Sequence, residues 1–150
     1  MKFSCSVEIE ASRERVIKLF EMVEYYPKWQ DGFVCMEHTE GDPGKPGSKS
    51  IIRYKAGKRV IELLETIEEN NLPDSFKGLY EAKEMVNTNQ CRFTETNGKT
   101  VYESEIEYLR FNGLVPKLMA LLMPGMFKKQ VLKWMNQFKE FVETNPDIAV

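Results

Sequence analysis

Between Phe127 and Glu143 the chain reads FKKQVLKWMNQFKEFVE, and this run constrains the fold more than any other. Phe127, Val131, Trp134, Met135, Phe138, Phe141 and Val142 recur at steps of three and four, the repeat that lays apolar side chains along one face of a helix. Lys128, Lys129, Lys133, Lys139 and Glu140 fall on the other face. A helix from about Met126 to Glu143 would be roughly 27 Å long. Burying its large side chains would contribute on the order of 10 to 20 kcal/mol before entropy. Such a helix needs a broad apolar partner, and the chain before it supplies one.

That partner is a series of strands. Phe3, Cys5, Val7 and Ile9 alternate with polar residues, a strand with one buried face. Ser12 is placed to cap a helix whose apolar positions are Val16, Ile17, Phe20 and Val23, and Tyr25-Tyr26-Pro27 ends it. From Phe33 onward the text turns to short β-like runs: Phe33 to Thr39, Ser50 to Lys55, Arg59 to Glu68, Phe76 to Val86, Gln90 to Thr96 and Thr100 to Phe111. Turns are expected at 41–47, at 56–58, at 70–74, at Asn87-Thr88-Asn89 and at Asn97-Gly98, the last a strong hairpin signal. Strands adjacent in sequence predict an antiparallel meander. Leu114 to Met123 then predicts a short helix with Pro116 in its first turn, separated from the long helix by Pro124-Gly125.

Composition narrows the function classes. A formal net charge of -2 from interleaved basic and acidic residues gives no nucleic-acid footprint. Three scattered cysteines, Cys5, Cys35 and Cys91, predict reduced thiols rather than a disulfide frame. MKFSCSVEIE alternates where a signal peptide would be uniformly apolar, so cytoplasmic residence is expected. The most apolar segment, 114–127, is broken by Lys117 and two prolines, so stable membrane insertion is not expected. No linker or repeat divides residues 1–150, which predicts one domain, working as a monomer or weak homodimer.

The order of elements resembles the START-like (SRPBCC) superfamily, which includes Bet v 1-like and polyketide cyclase/dehydratase-like proteins. The resemblance is carried by VEIEASRERVIKLF at Val7 to Phe20, YYPKW at Tyr25 to Trp29 and TVYESEIEYLRFNGL at Thr100 to Leu114. It implies an α+β helix-grip fold: a curved antiparallel β-sheet wrapped around a long C-terminal helix, with two short helices after the first strand. It also implies a cavity between sheet and helix for a small hydrophobic or amphipathic ligand such as a lipid, fatty acid or polyketide-like molecule, with no cofactor. Related folds include cyclase or dehydratase enzymes and co-chaperone-like or ribosome-associated interaction modules, and these stand as alternatives.

Candidate cavity residues are Tyr54, Tyr80, Phe93, Tyr102 and Tyr108 on strands, with Met119, Met123, Phe127, Trp134 and Met135 from the closing segment. Tyrosines facing an enclosed apolar space need hydroxyl partners, and a ligand's polar group could supply one. The other reading is a close-packed core. Glu65 shares strand parity with Ile61, Leu63 and Ile67; pointing inward it would need a partner, for which Arg53 is a candidate, and a bulge turning it outward is the preferred expectation. His38, the single histidine, is read as a surface residue, and one histidine without cysteines at ligand spacing predicts no metal site. An inward Glu65 or His38 would be the candidate acid or base of an enzyme; ligand binding without reaction is the preferred expectation. The segment 114–127 is expected to pack over the open end of the sheet, with a mobile lid or a transient membrane contact as the alternative.

Overall fold

The computed structural model describes residues 1–149. Elements follow in the order β1 (Lys2–Ile9), α1 (Arg13–Glu21), a 3-10 turn (Val23–Tyr25), α2 (Tyr26–Trp29), β2 (Phe33–Glu40), β3 (Lys49–Ala56), β4 (Arg59–Asn71), β5 (Ser75–Glu81), β6 (Met85–Thr96), β7 (Lys99–Phe111), α3 (Leu114–Leu122) and α4 (Pro124–Thr144). The strands form one antiparallel sheet in the order β1-β7-β6-β5-β4-β3-β2. β2 to β7 are therefore a meander of six strands, and β1 closes it by pairing with β7.

Register shifts in β2, β4 and β7 bend the sheet, because an extra residue on one strand of a pair increases local twist. Its concave side receives α4. Alternation in β7 settles which face is which: Thr100, Tyr102, Ser104 and Ile106 are buried, while Glu103 and Glu107 face solvent. Arg53 bridges Glu62 at 2.7 Å and Glu37 at 3.2 Å across the convex side. Exposed pairs of this kind add little stability.

Local signals explain most boundaries. The Ser12 hydroxyl accepts a hydrogen bond from the Arg15 N–H at 3.3 Å, which caps α1. Asn97 and Gly98 both take positive φ, the geometry of a tight hairpin turn. Two expectations are corrected. α1 ends at Glu21, before Val23, and the chain restarts as α2 with proline in its first turn. The turn expected at 87–89 lies at 82–84, and Asn87 to Asn89 are inside β6. Asparagine reads as a turn residue because its side chain can satisfy nearby backbone; here Asn89 spends its amide oxygen on Ser104 and Cys91.

The main core lies at one end of the molecule. Ile9, Val16, Leu19, Phe93, Phe138 and Val142 are nearly inaccessible, and with Trp29, Tyr102, Met135 and Phe141 they join β1, α1, the β6–β7 hairpin and the C-terminal half of α4. α4 packs chiefly on β1, α2 and α3. Consequently β3, β4 and β5 contribute nothing to that core cluster, and their concave face is where a site can form.

Candidate functional site

Strand register places a polar row across the concave face. His38, Ser50, Glu65, Tyr80, Asn87 and Tyr108 stand directly opposite one another on the six adjacent strands β2 to β7. Flanking positions on β3 and β4 are apolar: Ile52 pairs with Leu63, and Tyr54 with Ile61. On the helix side, Tyr108 meets Phe127 with ring centroids 5.1 Å apart, and Tyr54 stacks on Trp134 at 5.5 Å.

Glu65 is the centre of the row. It is 8% exposed, and one carboxylate oxygen accepts a hydrogen bond from the Tyr80 hydroxyl at 2.9 Å. Burial raises its pKa above the ordinary carboxylate range, and the Tyr80 hydrogen bond opposes part of that rise. This corrects two expectations. The β4 bulge lies between Ile67 and Glu69, beyond Glu65, so parity up to that point holds and the carboxyl points inward. Arg53 has the opposite parity and is committed to Glu37 and Glu62 on the convex face, so the buried acid has a tyrosine for its partner and not a cation.

Gly78 creates the room for this pair. A Cβ there would sit 2.8 Å from the Tyr80 hydroxyl and 2.9 Å from its ring, which shows that the ring lies back along β5 over the glycine. Gly78→Ala is expected to tilt Tyr80 off Glu65. Losing that donor should raise the Glu65 pKa further, which carboxyl-carbon NMR titration against wild type would read directly.

Some neighbouring polar groups are satisfied within the protein, whereas the buried Trp134 indole N–H has no partner. The Tyr54 hydroxyl donates to Gln30 at 2.6 Å. Ser104 donates to Asn89 at 2.7 Å, beside Cys91, whose thiol is pushed up to about 11 by burial, which disfavours the reactive thiolate. Tyr26, from α2, was not anticipated as a site residue. Its ring packs on Trp29 and Phe33, and its hydroxyl is raised in pKa by burial first and then by the negative charge of Glu65. The signal was present in the sequence, since Pro27 at a helix start fixes the turn that carries Tyr26.

Of the ten candidates, Tyr54, Tyr80, Tyr108, Phe127 and Trp134 are half-buried around this row. Phe93, Tyr102 and Met135, at 2%, 5% and 3% exposure, lie in the core cluster. Phe93 and Tyr102 stack on each other at 4.9 Å, and β6 and β7 deliver them to the closed end. Met119 and Met123 lie exposed, on α3 and at its end. His38 is exposed on the edge strand β2. Among the described residues no cluster of His, Cys, Asp or Glu is arranged to hold a metal, and no helix is long and apolar enough to cross a membrane. An open groove of about 570 Å³ lies elsewhere, between α1 and the β4–β5 turn, and is lined by charged residues including Arg13, Glu14, Lys18 and Glu95.

No family model and no curated protein matches this sequence. Solved structures do match in shape. Zhui aromatase/cyclase from Streptomyces sp. R1128 aligns with a TM-score of 0.78 at 11% identity, over 97% of this chain and 95% of that one. The ginseng major latex-like protein 151 from Panax ginseng aligns with a TM-score of 0.67 at 16% identity, over 94% and 96%. TTHA0849 from Thermus thermophilus gives 0.75 at 15%, over 95% and 97%. Together with the curved seven-stranded sheet and the long C-terminal helix, these similarities establish that the chain has the Bet v 1-like helix-grip fold.

Proposed function

We propose that this protein binds a small amphipathic molecule between α4 and the β3–β5 half of the sheet, with its polar group held by Glu65 and Tyr80. One observation carries the reading: a carboxyl without a cationic partner is buried at the centre of a concave face on which half-buried Tyr54, Tyr108, Phe127 and Trp134 leave apolar surface unspent. Burying an acid this way is costly unless something is gained by it. The second carboxylate oxygen suits a hydrogen-bond donor, so a hydroxylated lipid or polyketide-like ring fits better than a fatty acid, whose own carboxylate would be repelled. Apolar burial would drive binding and the polar pair would fix orientation.

A second reading, a cyclase or dehydratase-like enzyme, draws support from the same carboxyl. An acid with a raised pKa can take a proton from carbon next to a carbonyl and return it to a leaving hydroxyl. Native mass spectrometry of the purified protein, followed by organic extraction, tests the binding reading. A co-purifying mass of lipid or polyketide size that is lost in Glu65→Leu supports it. A clean apo mass, with no such molecule retained after incubation with hydroxylated lipids or aromatic polyketides, overturns it. Turnover of a bound ligand that disappears in Glu65→Gln while binding persists would assign the enzyme.

A further inference from the structure

The helix α3 is built the wrong way round for a helix that only closes a core. Leu114, Val115, Leu118, Leu121, Leu122 and Met123 are 49% to 81% exposed, and no residue of α3 is buried. Its half-buried positions are Pro116 and Ala120, one turn apart, so the helix leans on the protein by its small side and turns its leucines outward. An apolar surface of this kind needs an occupant.

Charge indicates which one. In a chain with more acidic than basic residues, 108–139 contains no Asp or Glu, yet carries Arg110, Lys117, Lys128, Lys129, Lys133 and Lys139. Lys133 and Lys139 are paired, to Asp31 and Glu143. Lys117, Lys128 and Lys129 are exposed and, among the described residues, have no carboxylate within ion-pair distance. Leucines flanked by unpaired lysines are complementary to a surface that is apolar inside and anionic outside. At nine residues α3 would lie in such a surface and not cross it.

We propose that α3 and the first two turns of α4 dock on anionic lipid bilayers, with the Leu114 to Met123 face entering the headgroup boundary and Lys117, Lys128 and Lys129 meeting lipid phosphates. The proposal is independent of what the inner site holds. Co-sedimentation of the full chain with vesicles of phosphatidylcholine alone, or with about 30% phosphatidylserine added, tests it. Binding is expected to the anionic vesicles, to weaken at least tenfold on phosphatidylcholine alone, and to fall as salt rises from about 0.1 M to about 1 M. Leu121→Ser with Leu122→Ser should abolish binding without changing the melting curve, because both side chains are exposed. Lys128→Glu with Lys129→Glu should remove the preference for phosphatidylserine. Absence of binding by the wild type, or undiminished binding by the leucine variant, overturns the proposal. So does a dimer in light scattering that the leucine variant turns into a monomer, which would assign the face to a second copy, or a stable complex with a protein that excludes vesicles.

Discussion

Phe138→Ala is expected to lower the unfolding free energy by about 3–5 kcal/mol, the usual cost of removing a buried aromatic ring. Phe138 is fully inaccessible and its ring is surrounded by Trp29 at 4.8 Å, Phe20 at 5.8 Å and Tyr102 at 6.0 Å. Those three come from α2, α1 and β7, so a single ring joins α4 to both N-terminal helices and to the sheet. A domain of this size is stable by roughly 5–15 kcal/mol, so the variant should lose about a fifth or more of its margin. Urea unfolding would measure it. A loss below about 1 kcal/mol would mean that α4 is held by its lysine pairs and not by this seam. Leu121 provides the contrast within the same closing segment: it is 76% exposed, and its replacement should leave the midpoint unchanged.

Glu65→Gln is expected to stabilise the unliganded protein near neutral pH by about 1–3 kcal/mol, because it removes a buried charge while keeping an acceptor for Tyr80. The sign follows from proton binding. Burial raises the folded-state pKa of Glu65, so at intermediate pH the folded protein holds a proton that the unfolded chain has released. Stability from this group is complete below the ordinary carboxylate pKa and is lost as pH rises through the folded one. Wild type and Glu65→Gln should therefore unfold alike at about pH 4 and separate toward about pH 8, with the variant the more stable. Parallel curves across that window would show that Glu65 is solvated or paired when ionised. The same substitution should weaken a ligand that donates a hydrogen bond to the carboxylate by about 10- to 100-fold. Opposite effects on stability and on binding are what a residue retained for recognition would give.

Much of the fold was legible because it rests on local periodicity. The three-and-four repeat of Val131, Trp134, Met135 and Phe138 marked α4, and the alternation of Tyr102, Ser104 and Ile106 against Glu103 and Glu107 gave the buried face of β7. The site was legible only in part. Glu65 was visible as a parity anomaly, but its partner could not be read, because Tyr80 is opposite it only through the pairing of β4 with β5. The misplaced turn at 87–89 compounded this, since it obscured that β5 ends at Glu81 and that Asn87 faces Tyr80.

The division has a physical cause. Hydrophobic period is a property of neighbouring residues, so the sequence alone determined which segments become strands and helices and which of their faces are apolar. How far α4 reaches across the sheet depends on contacts between distant parts of the chain, and only tertiary structure decided that. Packing closed one end around Phe93, Tyr102 and Met135 and left the row around Glu65 half-covered. It also turned the leucines of α3 outward, a choice that no repeat in the segment records.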